Sequence, residues 1–349
     1  MIFQSLISHK LYKTILLGGT FFAVAALTSC DLVKEDLEPC SNAELRFVYD
    51  YNMEFANAFP KQVDCLDVYF YNEDGKLVHT EKVTDESLLS DENYRMSVSL
   101  PEGNYHVVAY GGMGCEKSSF HHLNAPSVNN SSLGDLRVQL NSAALNDKTQ
   151  ARLHNHYFGS ADFTLDYSKQ ELTVVEMMRN TNSVQIALQH MNGEPIDVND
   201  FIFEITDDNN DFDFENNLIA TGDITYIPWN TETRTTGLTE NAAGDYNEYY
   251  AALAQFNTSR LYKTKATTTT LHVKTAKDGA TVFKVPLVNY MLMFKNDRTG
   301  LNRNDMPDQE YLDRENSWNF VFFLDSDNLW VQSKIIVNNW VVRMNNSEF

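Results

Sequence analysis

The chain has 349 residues, with 48 Asp and Glu against 27 Lys and Arg and a formal charge of −21. Hydrophobic residues make up 43%, with 21 Phe and 17 Tyr, so a sizeable core is affordable and a disordered acidic polymer is excluded. So negative a chain repels nucleic acid, and no basic stretch offsets the charge, so no nucleic-acid partner is expected.

Residues 1–29 read as a lipoprotein signal peptide. Lys10 and Lys13 supply a positive start, residues 15–27 are almost wholly apolar, and Ala26, Thr28 and Ser29 are small residues near a cut. Leu27-Thr28-Ser29-Cys30 has the pattern of a bacterial lipobox, in which the cysteine after the cut is acylated. The apolar run is shorter than the roughly 20 residues a membrane span needs. The expected arrangement is a protein tethered to a membrane through acyl chains on Cys30, without spanning it. Each buried CH₂ adds about 0.8 kcal/mol, so two or three chains hold firmly where one does not. Residues 30–42 form the tether. Within it, Lys34-Glu35-Asp36 places a lysine and two acids just after the lipidated position, as surface-export signals of some Gram-negative lipoproteins do.

The remainder reads as strands and turns. Residues 44–50, 63–71, 95–100 and 105–110 alternate in character, with turn signals at Asp74-Gly75 and Pro101-Glu102-Gly103-Asn104. Residues 136–140 and 161–167 complete a first set. A second set is expected at 172–175, 183–188, 201–205, 269–274, 281–288, 320–324 and 335–342. Short helices are expected at 87–89 and 245–253. Evenly spaced short strands argue sandwiches rather than a parallel sheet flanked by helices. The polar stretch Ser168-Lys169-Gln170 sets the expected division: an N-terminal β-sandwich over 43–168 and a C-terminal one over 169–349.

Candidate chemistry is sparse. Gly111-Gly112-Met113-Gly114 lacks the spacing of a phosphate cradle and reads as a turn leaving a sheet. His121 and His122 are adjacent, so on a strand they face apart. His154 and His156 would share a strand face without a further ligand beside them. Asp207, Asn209, Asp211 and Asp213 repeat every second residue, as calcium-loop ligands do. Phe212 stands where such a loop needs Gly, and Leu218 where it needs Glu. No nucleophile elbow, His-Glu-x-x-His or Ser/His/Asp arrangement appears, so no enzyme, metal or cofactor is expected. If Cys30 carries lipid, Cys40, Cys65 and Cys115 allow one disulfide and leave one thiol; the spacing does not choose the pair. Of the four tryptophans, Trp340 reads as core, and Trp229, after Pro228 in a loop, is the freest.

Several stretches in order carry a resemblance: Leu45-Arg46-Phe47-Val48-Tyr49-Asp50-Tyr51-Asn52-Met53, the strand over 63–71 with its Asp74-Gly75 turn, Leu100-Pro101-Glu102-Gly103-Asn104-Tyr105, Ala109-Tyr110-Gly111-Gly112 and the closing Ile336-Val337-Asn338-Asn339-Trp340-Val341-Val342. Together with the lipobox and Pro39-Cys40, the chain resembles the FimB-type fimbrial anchor family, the minor lipoprotein subunits of type V pili. The resemblance is strongest over 40–112 and leaves 206–268 unmatched. It implies an all-β protein of two tandem, transthyretin-like β-sandwiches, held by lipid at the outer surface, where it secures the fimbria base and limits fibre length. Its partners would be fimbrial stalk subunits, joined by β-strand addition at a sheet edge or through residues 335–344. Only Cys30 carries over as a functional residue. The competing expectations are a surface glycan-binding lipoprotein, with an exposed ring such as Trp229 as platform, and a pilus-tip adhesin.

Overall fold

Alternation at strand period builds this chain. In Ala43–Val48 every second side chain is buried, and the same pattern recurs in Phe201–Asp207. The computed structural model describes residues 43–240, 246–293, 295, 306–337 and 340–342. In chain order the strands of the first half are β1 (Ala43–Val48), β2 (Leu66–Asn72), β3 (Leu77–Val83), β4 (Met96–Val98), β5 (Gly103–Gly111), β6 (Phe120–His122), β7 (Val138–Leu140), β8 (Tyr157–Leu165) and β9 (Glu171–Arg179). The second half follows with β10 (Thr181–His190), β11 (Phe201–Asp207), β12 (Asp211–Phe212), β13 (Ile224–Tyr226), β14 (Asn230–Glu240), β15 (Tyr246–Ser259), β16 (Thr270–Thr275), β17 (Thr281–Pro286), β18 (Ser317–Leu324), β19 (Trp330–Val337) and β20 (Trp340–Val342).

The first sheet runs β3-β2-β5-β8-β9-β1-β4. It folds over a core that includes Leu45, Phe47, Val68, Phe70, Val107 and Val175. β2 and β5 are buried on both faces. Tyr69, Tyr71, Val108 and Tyr110 point away from that core into a second cluster, where Phe120, Val138 and Leu140 of the small sheet β12-β7-β6 cover them. The second half has a six-stranded sheet, β14-β15-β10-β18-β19-β20, and a four-stranded one, β13-β11-β16-β17. Their facing residues, among them Ile186, Phe256, Phe320, Ile205, Val273 and Phe283, belong to the same cluster as Tyr110 and Phe120. One apolar interior therefore runs through the joint between the halves.

Four local expectations need correction. The division between 168 and 169 falls in the turn between β8 and β9, two strands of one sheet. β9 pairs in parallel with β1 from Ala43↔Glu171 to Val48↔Glu176, a long-range contact with no local signal. The change of sheet comes at Asn180, the single residue between β9 and β10. The helix expected over 245–253 is strand: β15 pairs with β10 on one side and β14 on the other, and sheet pairing overrides the helix preference of its alanines. The strand expected over 281–288 stops at Pro286, and Leu287–Met293 is helical. The closing strand expected over 335–342 is two antiparallel strands, with Val337 opposite Trp340.

Three contacts lock the halves together. Asn180 and Asn216 exchange amide hydrogen bonds of 2.6 and 3.0 Å in a buried pair. Arg314, on the helix Asp308–Arg314, lies over Tyr51 and donates to the carbonyls of Asp50 and Asn52. Third, β12 adds to the edge of β7, and there Arg137 grips Asp211 with two 2.7 Å hydrogen bonds.

Candidate functional site

The expected lipidation position Cys30, the expected export residues Lys34, Glu35 and Asp36, and Cys40 lie outside the described residues. The strand that follows them is β1, which sits inside its sheet between β9 and β4. That strand is hydrogen-bonded on both sides.

The sheet edges differ in their protection. β3 carries the exposed charges Glu81 and Lys82, β17 carries exposed Lys284 and ends on Pro286, and β14 is Thr-rich with an exposed Glu232–Arg234 pair. Charges and proline on an edge discourage pairing with another chain. β20 ends the six-stranded sheet, pairs among the described strands only with β19, and has neither charge nor proline.

Cys65 and Cys115 form the disulfide, which settles a choice the spacings left open. Asp64 and His154 lie beside it, so four residues of metal-ligating type gather within 4.8 Å. Both sulfurs are committed to the disulfide, which leaves a hydrogen-bonded pair, with His154 Nε2 3.0 Å from Asp64. Burial works against the charge on Asp64, but His154 and Lys117 outweigh it and hold the carboxyl below its usual range. The adjoining Gly112 has φ +75° and lies so close to the Asn155 carbonyl that a Cβ would collide at 1.8 Å. The expected turn is therefore glycine-dependent, and it is pinned by the disulfide. Cys65→Ser should cost about 4 kcal/mol, the chain-entropy value for a closed loop of this length, read as a fall in denaturant midpoint under non-reducing conditions. A midpoint unchanged against wild type would refute a stabilising role.

The acidic run does not converge as a calcium loop would. Asp207 is buried and accepts from Thr269; burial pushes it up to about 6. Asn209 accepts from Tyr226 and donates to the Arg260 carbonyl. Asp211 turns to Arg137, and Asp213 caps the turn to Asn217. His121 is exposed and His122 half-buried, on opposite faces of β6. His156 is fully buried between Phe120 and Tyr110.

A groove of about 520 Å³ opens where residues 152–155 meet the outer face of the six-stranded sheet. Trp318 is core, whereas Trp229 is half-buried and lines this groove. Arg152 lies over its ring, with the guanidinium 4.8 Å from the ring centre. Arg179 stands at the end of β9 and donates to Thr181, Asn316 and Asn155, all neutral oxygens. The floor is a grid of amides and hydroxyls set by strand register. Asn257, Ser183 and Ser317 form one row, and Gln255, Gln185 and Asn319 the next. The alternate positions Val184, Phe256 and Trp318 face the core. Of the groove's lining residues the sequence singles out Trp229 and Trp318 as possible rings and His154 as a possible metal ligand, but not the two arginines or the amides. Ser183-x-Gln185, Gln255-x-Asn257 and Ser317-x-Asn319 each read as an ordinary solvated strand face, and only their pairing reveals the grid.

Among the described residues no helix is long and apolar enough to cross a membrane. The all-β architecture fits a fimbria-associated surface protein, and the comparisons with known proteins place it there. The family of fimbrillin-A associated anchor proteins Mfa1 and Mfa2 matches residues 36–346, so the chain belongs to that family. No curated protein matches the chain. Among solved structures, a candidate adhesin from Bacteroides thetaiotaomicron is similar at 43% identity and TM-score 0.81, over 89% of this chain and 100% of that one. A candidate polysaccharide-binding protein from the same species is similar at 28% identity and TM-score 0.72, over 87% and 98%. The fimbrial anchor protein Mfa2 from Porphyromonas gingivalis shares the fold at 15% identity and TM-score 0.62, over 87% and 99%.

Proposed function

We propose that this protein anchors a fimbria to the outer membrane through acyl chains on Cys30 and holds the next subunit by strand addition at the edge of its C-terminal sheet. The observation that carries the reading is the unguarded position of β20 at the end of the six-stranded sheet. An incoming strand gains main-chain hydrogen bonds along its length and tolerates varied side chains. The opposite end of the load path is β1, directly after the tether. From β1 the load crosses six paired residues to β9, and β9 continues through Asn180 into β10 of the six-stranded sheet. Such a body transmits force from lipid to fibre without relying on side-chain contacts alone. In this reading Lys34, Glu35 and Asp36 direct the lipoprotein to the cell surface, the two halves are tandem transthyretin-like sandwiches, and the base subunit limits fibre length.

The test is fibre shedding. Cells carrying Cys30→Ala should release long fibres into the medium, while wild-type cells retain them. Deletion of residues 340–349 should also release fibres but leave the lipoprotein in the membrane fraction. Retention of fibres by Cys30→Ala cells would overturn the anchor reading. Retention by the deletion alone would overturn strand joining at β20. A second reading, surface glycan binding, is favoured by one observation, the half-buried Trp229 in a polar groove.

A further inference from the structure

We propose that the groove walled by Trp229, Arg152 and Arg179 and floored by the amide grid binds an acidic saccharide, a sugar residue bearing a carboxylate. This deepens the glycan reading and is independent of the anchor reading.

Charge is the first argument. Acidic residues outnumber basic ones 48 to 27 in this chain, yet no Asp or Glu lines this groove. The other described grooves each contain carboxylates: Glu73, Asp162 and Glu171 in one, Asp197, Asp200 and Glu232 in the next, Asp64, Glu86 and Glu116 in the last. Here two guanidiniums stand without a carboxylate partner among the described residues. A planar guanidinium offers paired N–H donors that match the two oxygens of a carboxylate. Set in a strongly negative molecule, such a patch selects the acid-bearing ligand by the position of the charge, since the long-range field opposes it.

The second argument is the shape of the polar surface. Gln185 and Gln255 are linked through their amides at 3.0 Å, and Asn257 donates to Ser183 at 3.1 Å. Each amide has both donor and acceptor capacity, and the interlocked side chains hold these groups in place before a ligand arrives. Sugar hydroxyls likewise donate and accept. Trp229 supplies an apolar face for the C–H side of a ring, and Arg152 stacked on that indole fixes it. A volume of about 520 Å³ lies within the range of small-ligand sites.

The experiment titrates the full chain with three probes: sialyllactose, a hyaluronan tetrasaccharide, and lactose as the neutral counterpart of the first. Binding of sialyllactose assigns a sialic-acid-type ligand, and binding of the hyaluronan fragment a uronic-acid-type one. Lactose should bind about tenfold more weakly than the acidic probe that binds. Trp229→Ala should lower affinity about tenfold, and Trp229→Phe should restore most of it by keeping a ring. Arg152→Gln should reduce the acidic probe to the lactose level, and thermal unfolding of each variant checks that the fold is intact. Equal affinity for lactose, no binding of either acidic probe, or indifference to both Trp229→Ala and Arg152→Gln would overturn the proposal. So would equally effective competition by poly-glutamate, which would make the groove a dock for acidic peptide. Fibre shedding is unaffected by any of these outcomes, so failure here is distinct from failure of the anchor reading.

Discussion

Arg137→Ala should destabilise the protein by about 3–5 kcal/mol, the range for removing one partner of a buried ion pair. Asp211 is fully buried, with its side chain at 0% exposure, whereas the Arg137 side chain keeps 32%. Removing the arginine therefore leaves a buried carboxylate without its cation, with only the 3.1 Å hydrogen bond from Gln139 left to its side chain among the described residues. Removing the carboxylate instead, as Asp211→Asn, leaves a guanidinium that solvent can still hydrate, so the loss should be smaller. The double change Arg137→Met with Asp211→Leu should recover much of the stability, because two apolar side chains leave no unpaired charge. Urea unfolding of the three variants checks the order. Equal losses for Arg137→Ala and Asp211→Asn would show that burial of the carboxylate does not control the effect. The site matters because β12 comes from the second half and β7 from the first, so the loss falls on a contact between the halves.

Acid should weaken the same joint. His156 is fully buried, its Nε2 has no hydrogen-bond partner among the described residues, and burial lowers its pKa to about 3. The Tyr69 hydroxyl donates to Asp67 and its oxygen accepts from His122 Nε2 at 2.7 Å; burial lowers the His122 pKa to about 4. Both groups are held neutral in the folded protein but charge near pH 6.5 when it unfolds. Their contribution is fully present above pH 6.5 and is lost as pH falls from there toward 3 to 4. Asp207 acts in the opposite sense. Raised to about 6 by burial, it takes up a proton in the folded state first and adds stability as pH falls from 6 toward 4. The histidine shifts are larger together than the Asp207 shift, so the net effect of the three is a loss on the order of several kcal/mol. His156→Phe isolates one term, since a phenyl ring keeps the stack between Phe120 and Tyr110 without a nitrogen to protonate. The melting temperature of the variant should gain on wild type as pH falls from 7 to 4. Parallel melting curves across that range would show that His156 does not titrate on unfolding.

Much of the chain was legible without coordinates, for a local reason. The turns at Asp74-Gly75 and Pro101-Glu102-Gly103-Asn104 need particular residues, and strands such as β1 and β11 show which side is buried through their alternation. The misreadings share the opposite character. β15 carries Ala251, Ala252 and Ala254, good helix formers that become strand because β10 and β14 pair on either side. β9 was assigned to the wrong half because its polar approach looks like a linker, while the parallel partner that claims it lies more than a hundred residues earlier. Residues 335–342 looked like one strand because apolar character continues on both sides of Asn338-Asn339, although paired asparagines between β-prone runs also suit a hairpin.

The sequence by itself determined the all-β class, the strongly acidic composition and the ordered stretches that resemble a fimbrial anchor family, and it raised the expectation of a lipobox at Cys30. These are local patterns or sums over composition, so no contact is needed to read them. Tertiary structure decided the pairing of Cys65 with Cys115, the joining of the halves through β12 and Asp211, the open edge at β20, and the gathering of Arg152, Arg179 and Trp229 over one amide grid. Each of these depends on which distant strands become neighbours, and register across a sheet is set by packing of whole faces rather than by any short run of residues.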